Sequence, residues 1–271
     1  VEAVLSRRVL PAFHEEITLK ILFIPDSQVK PNQDVTFLRQ IGLYIMDKRP
    51  DVIVHAGDFA DMESLSSYDK GKKSFEGRRY RADIQAAHAG MEALLGPIRE
   101  HNLMQQRNKK GLYRPRMVLT LGNHEERILR AIENEPMLDG TISIDDLKYK
   151  EYGWEVYPYL EVVVIEGVAF SHFFSTGAMG RPASSAQAML NKKHMSCLAG
   201  HQQGRQSASA FRADGRPITA IIAGSCYEHD ESYLGPQGNQ HWHGLVMLHN
   251  VKDGSFDECF IPLHYIKEKY A

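Results

Sequence analysis

Short apolar and β-branched runs recur along the chain, and each runs into a polar turn. Ile21 to Pro25 leads into Asp26, Ser27 and Gln28, and Val52 to Ala56 leads into Gly57 and Asp58. Met117 to Leu121 leads into Gly122, Asn123, His124 and Glu125. Val162 to Phe170 leads into Ser171 and His172, and Met195 to Ala199 into Gly200 and His201. Runs of this length, bounded by Gly and Asp, read as strands. Between the first two, Val35, Leu38, Gly42 and Ile45 share one helical face, and Pro50 marks the end of that helix. After the second, Ile84, Ala87, Met91, Leu94, Leu95 and Ile98 repeat at helical spacing, with Gly96 and Pro97 expected to break or kink the helix. The first half therefore reads βαβαβ.

The second half is mostly β. Tyr157 to Ile165 and Val168 to Phe170, joined through Glu166 and Gly167, predict a hairpin; Thr219 to Ser225 and Trp242 to Leu248 predict further strands, with a helix near Ala183 to His194. An α/β protein with mixed sheets follows, and ligands in such folds sit beyond the carboxyl ends of the strands. All five polar turns fall there.

Composition narrows the class without choosing a partner. With 271 residues, 43% of them hydrophobic and 24% charged, the chain has the makeup of a globular protein and no apolar run of spanning length. A net charge of −2 means that any affinity for nucleic acid must come from a local patch. Cys197, Cys226 and Cys259 are odd in number and widely separated, which suits reduced, mostly buried thiols and a cytoplasmic location. Val1 to Lys20 lacks the apolar stretch of a secretory signal, and the start on Val suggests a trimmed chain or a fragment of a longer one. No linker divides the chain, so residues 1–271 read as one domain.

Carboxylates at Asp26 and Asp58, an amide at Asn123 and imidazoles at His172 and His201 are the mixed oxygen and nitrogen ligands that a pair of divalent transition ions uses. Spread over five strand ends, they can converge on one point. The chemistry expected of such a pair is metal-assisted hydrolysis, two ions sharing a bridging hydroxide and clamping a phosphoryl centre. A carboxylate beside a catalytic imidazole would orient it and favour its protonated form.

The ordered set Asp26-x-Gln28, Gly57-Asp58-x-x-Asp61, Gly122-Asn123-His124-Glu125, Ser171-His172 and Gly200-His201-x-Gln203 resembles the calcineurin-like metallophosphoesterases. The resemblance implies a four-layer α/β/β/α sandwich of two mixed sheets flanked by helices, with a dinuclear centre at one edge. It implies that Asp58 bridges both ions, that Asp26 binds the first, and that Asn123, His172 and His201 bind the second. His124 would not be a ligand; it would face the leaving-group oxygen, oriented by Asp61. Gln28 and Gln203 stand where the family usually has His, which makes the first site all-oxygen and favours Mn²⁺ or Mg²⁺ over Zn²⁺, with Fe or Ni²⁺ as further candidates. Whether Gln202 or Gln203 points inward stays open.

Arg127 and Arg205 are candidate phosphate clamps. His55 reads as a core histidine, and His229, His241 and His243 as ordinary residues that could nonetheless approach the site. A basic insertion at about 62–82 carries, from Asp69 to Arg81, Lys70, Lys72, Lys73, Arg78, Arg79 and Arg81 against Asp69 and Glu76, six cations to two carboxylates, with Phe75 and Tyr80 interleaved. That pattern suits a loop gripping nucleic acid through Lys72, Lys73, Arg78 and Arg79. It is also similar to insertions in phage-encoded members of the family, which would place the protein in the host cytoplasm. The expected activity is that of a Mn²⁺-dependent phosphodiesterase or nuclease. The alternatives are a phosphomonoesterase acting on protein or small molecules, since Gly122 to Glu125 with Arg127 is similar to the serine/threonine phosphatases, and a non-catalytic metal-binding module. No membrane partner is expected.

Overall fold

A computed structural model of the chain describes residues 18–231 and 234–271, so the reading of 1–17 lies outside the described residues. In chain order the first half comprises β1 (Leu19–Ile24), α1 (Thr36–Lys48), β2 (Val52–His55), α2 (Tyr80–Arg107), β3 (Arg116–Thr120), α3 (Glu126–Asn134) and β4 (Glu155–Tyr157). There follow β5 (Val163–Ile165), β6 (Val168–Ser171), α4 (Ala186–Lys193), β7 (Cys197–Ala199), β8 (Gln206–Phe211), β9 (Pro217–Ile222), α5 (Gly235–Gly238), β10 (Gly244–Lys252), β11 (Ser255–Pro262) and α6 (Leu263–Lys269).

These strands form two mixed sheets, ordered β11-β10-β1-β2-β3-β4 and β5-β6-β7-β9-β8. Strands β1 to β4 run parallel, and β10 pairs antiparallel with β1. In the second sheet β6, β7 and β9 are parallel and the edges β5 and β8 antiparallel. The period-2 alternation of a strand sorts side chains into layers. From β1, Leu22 and Ile24 face the helices α1 and α2, whereas Ile21 and Phe23 face the second sheet, where they meet Phe170, Leu198 and Ile221. On its far side the second sheet turns Ala169, Cys197, Ala220 and Ile222 toward Met189 and Leu190 of α4. Three apolar layers between four layers of structure are the expected α/β/β/α sandwich.

Two details depart from the pattern in the sequence. Tyr157 to Ile165 is not one strand: its ends belong to different sheets, and the hairpin is confined to β5 and β6. Helix α2 continues through Gly96 and Pro97; its buried face, with Leu94, Leu95 and Ile98 packed in the core, outweighs the roughly 3 kcal/mol that an interior proline costs. The thiols are mostly buried, as expected: Cys197 and Cys226 are buried, and Cys259, on the outer strand β11, is exposed. No helix among the described residues is long and apolar enough to cross a membrane.

Candidate metal centre

Because β1, β2, β3, β6 and β7 all point the same way into one edge of the sandwich, their terminal turns meet there. Asp26 and Gln28 follow β1, Asp58 follows β2, Asn123 and His124 follow β3, His172 follows β6 and His201 follows β7. The loops interlock through the backbone. The Asp58 carbonyl accepts the N–H groups of Ser27 (3.2 Å) and Gln28 (2.8 Å), and both Asp26 carboxylate oxygens accept the N–H of His201, at 3.0 and 3.1 Å. Asp58 Oδ1 accepts the N–H of His124 at 2.8 Å. Two contacts leave no room for a side chain: a Cβ on Gly122 would lie 2.0 Å from Asp58 Oδ1, and one on Gly200 would lie 2.3 Å from Asp26 Oδ1. Gln28, Asp58 and His201 all adopt positive φ, at 42°, 47° and 66°. Left-handed backbone at non-glycine residues is costly, and it concentrates at functional sites.

At the centre, atoms bearing lone pairs face one another. His172 Nδ1 donates to the Ala56 carbonyl at 2.9 Å, so in the neutral imidazole its Nε2 carries the lone pair. That Nε2 lies 2.9 Å from Asn123 Oδ1, 3.1 Å from His201 Nδ1 and 3.5 Å from Asp58 Oδ2. Burial and the neighbouring His172 push His201 down to about 4, keeping it neutral. A proton can bridge one of these contacts; a divalent cation satisfies all of them, and the Asp58, His172 and His201 atoms lie within 4.8 Å of one another. Gln28 adds an Oε1 that is buried without a hydrogen-bond partner. Burial and negative Asp58 push Asp26 well above the usual carboxylate range, whereas Asp58, which burial alone would raise, is held below it by His124 and His172. Two buried carboxylates arranged this way fit a site built for cations.

His124 stands on the flank of this cluster. Its Nδ1 is 2.9 Å from Asp61 Oδ1 and its Nε2 is 3.6 Å from Asp58 Oδ2. Burial works against its charged form, but Asp58 and Asp61 prevail and raise it above the ordinary histidine value. Asp61 is in turn held well below its ordinary value by His124, Arg127 and Lys30, against the opposing effect of burial. Arg127 donates to the Asp61 carbonyl at 2.6 Å and carboxylate at 3.1 Å, and its Nη2 lies 3.2 Å from His124 Nε2.

Gln203 sits half-buried two residues beyond His201, while Gln202 turns away to donate to the Ala183 carbonyl. Arg205 is exposed and stacks over Phe260 and Trp242, its Cζ 4.6 and 5.4 Å from the ring centroids. In the insertion, Lys72 and Arg78 both pair with Asp69 at 2.8 Å, whereas Lys73 and Arg79 are exposed.

Sequence reasoning left several supporting residues without a role. Glu125 is wholly buried; its carboxylate accepts the N–H groups of Asp58, Phe59, Ala60 and Gly122 and the Tyr149 hydroxyl, at 2.8 to 3.1 Å. His55 is also buried, accepting Gly57 N–H at Nδ1 (3.2 Å) and meeting Ser27 Oγ through Nε2 (2.8 Å), so one imidazole ties the Asp58 turn to the Asp26 turn. His241 and His243 hydrogen-bond Ser225, which bridges to Asp26, while His229 and Glu231 approach Asp61 around Lys30. The signal for Glu125 was its place in the third turn; nothing local marked Tyr149.

The fold and the site together define an α/β sandwich with a cluster of candidate metal ligands at the carboxyl ends of its strands. No family model matches the chain, and no curated protein matches it. Among solved structures it is similar to Yfce, a phosphoesterase from E. coli, at 12% identity and a TM-score of 0.37, over 90% of this chain and 100% of that one. A second solved structure matches at 12% identity and a TM-score of 0.35, over 90% of this chain and 99% of the other. Likenesses this distant carry no activity across.

Proposed function

We propose that the chain is a metal-dependent phosphoester hydrolase that acts on phosphodiesters. The observation that carries this reading is the cluster of Asp58, Asn123, His172 and His201, with His124 beside it but engaged by Asp61. Asp58, Asn123, His172 and His201 would hold one ion, and Asp26, Gln28, Asp58 and Gln203 the other. Divalent ions in those positions supply Lewis acidity and an activated water near neutral pH. The oxygen donors of the second set favour Mn²⁺.

The protein's own share is positioning and proton transfer. Asp61 keeps Nδ1 of His124 engaged and favours the imidazolium, which leaves Nε2 to give its proton to the departing ester oxygen. Preference for a diester follows from where the arginines go. A phosphomonoester brings two negative charges and calls for unengaged cations, yet Arg127 is committed to Asp61 and Arg205 to an aromatic stack. The exposed Lys73, Arg79 and Arg81 of the insertion suit a polyanionic substrate, with nucleic acid the one proposed.

Turnover of bis(4-nitrophenyl) phosphate and 4-nitrophenyl phosphate under Mn²⁺ tests this. The diester is expected to be hydrolysed faster, and Asp58→Asn to abolish it. Preference for the monoester would overturn the diester assignment; turnover of neither would leave a metal-binding module.

A further inference from the structure

Between the insertion and α3 lies a cleft of about 270 Å³ that opens beside the candidate centre. Its floor is apolar: Leu65, Ala131 and Leu138 are half-buried and pack against the main core. Its mouth carries exposed Lys70, Arg130 and Glu135, with Arg130 also donating to the Asn123 carbonyl at 2.6 Å, and a Tyr68 side chain that is 80% exposed. Arg127 lines the inner end, and the same guanidinium lies 3.2 Å from His124 Nε2. Arg127 thus joins the cleft to His124, on whose Nε2 side the proposed reaction puts the leaving group.

We propose that this cleft is a subsite for the leaving half of the substrate and that it takes a nucleotide, a conclusion that rests on the phosphodiesterase reading above. An apolar floor beside an exposed tyrosine accommodates a planar base, which stacks on aromatic side chains whatever its identity. Lys70 and Arg130 at the mouth meet a further phosphate on the same nucleotide. The volume, just below the usual range for small-molecule sites, suits one nucleotide unit at most and not a length of strand. In the reaction, water adds to phosphorus as the P–O bond to the seated nucleotide breaks. The electron pair stays on the departing oxygen, which takes the His124 proton, so the products are a phosphomonoester and a nucleotide with a free hydroxyl. One phosphodiester and one water are consumed. The cleft thus sets which side of the diester leaves, a role distinct from that of the exposed cations along the insertion.

Two variants test the subsite away from the catalytic groups: Lys70→Ala at the mouth and Leu138→Trp, which fills the floor. Titration calorimetry of the metal-free protein in EDTA with thymidine 3′,5′-bisphosphate should show saturable binding, weakened tenfold or more in each variant. Inorganic phosphate should bind far more weakly and be insensitive to Leu138→Trp. In parallel, kcat/KM for a thymidine dinucleotide with a terminal phosphate should fall tenfold or more, while bis(4-nitrophenyl) phosphate turnover stays at the parent level. Absent nucleotide binding, binding equal in parent and Lys70→Ala, or tighter binding of a phosphotyrosine peptide would overturn the subsite. Loss of all diester turnover in the parent, with nucleotide binding intact, would instead overturn the hydrolase reading.

Discussion

The carboxylate of Glu125 accepts the backbone N–H of Asp58 at 2.9 Å, across 67 positions of chain. Its Oε2 also holds Gly122 N–H, and its Oε1 holds Phe59, Ala60 and the Tyr149 hydroxyl. One buried acid therefore fixes the turn that carries Asp58 against the turn that carries Asn123 and His124. Glu125→Gln replaces one oxygen with a donor that must face at least two N–H or O–H groups. Each buried donor left unpaired costs about 1–3 kcal/mol, which for a chain of this size lowers Tm on the order of 10 °C. Thermal melts should show that loss, together with weaker metal uptake measured by elemental analysis. A Tm within a degree or two of the parent would mean that these turns are held by other contacts.

The legible part of this site is the part carried by strand ends. Asp26, Asp58, Asn123, His172 and His201 each follow a continuous apolar run, because central parallel strands are buried on both faces and announce themselves by composition. The strands that escaped are edges. Gln206–Phe211 is largely exposed and built from small and polar residues, and Glu155–Tyr157 is three residues long, so neither offers a run of large apolar residues that would mark it as a strand. Tyr157 to Ile165 misled because the backbone leaves one sheet and enters the other within a single apolar stretch. The roles of Glu125 and His55 were hidden for another reason. A buried polar residue declares its function through its partners, and the partners of Glu125 lie at 58–60, 122 and 149.

His124 should contribute to rate and not to metal affinity, since it engages Asp61 while Asn123, His172 and His201 crowd together without it. His124→Ala is expected to lower kcat by roughly 10² to 10⁴ with metal content unchanged. Asp61→Asn removes the charge that favours the imidazolium but keeps an oxygen beside Nδ1, so its kcat should fall between the two. Elemental analysis of both proteins decides the matter: metal lost along with activity would make His124 a ligand.

The unpartnered Oε1 of Gln28 and the half-buried Gln203 bear on metal preference. Changing both to His replaces hard oxygen donors with imidazoles, which raises affinity for Zn²⁺ relative to Mn²⁺. Competition titrations against a metal indicator should show that shift in the double variant. Identical Zn²⁺ and Mn²⁺ binding in variant and parent would place both glutamines outside the coordination sphere.

Beneath the insertion, Asp83 of α2 accepts the Ser64 N–H at 3.0 Å, but its Oδ1 and the Ser64 hydroxyl are buried without partners. Burial raises the Asp83 carboxyl from 3.8 to about 6. A carboxyl raised in the folded state binds its proton more tightly there than in the unfolded chain. Its contribution to stability is therefore complete below pH 3.8 and is lost as pH climbs through about 6. At one pKa unit to 1.36 kcal/mol, the loss is at most about 3 kcal/mol. Asp83→Asn keeps the acceptor for Ser64 N–H, offers a donor to the Ser64 hydroxyl and carries no charge to desolvate. It should raise Tm at pH 8 by several degrees, on the scale of about 2–4 °C per kcal/mol, with the gain shrinking as pH falls through 6 and vanishing near 4. Melts of parent and variant across that range test the sign as well as the size. A gain that stays constant with pH would show that the variant acts through packing or hydrogen bonding. A loss at pH 8 would show that Asp83 is ionised in a stabilising contact, and that the insertion is anchored by its charge.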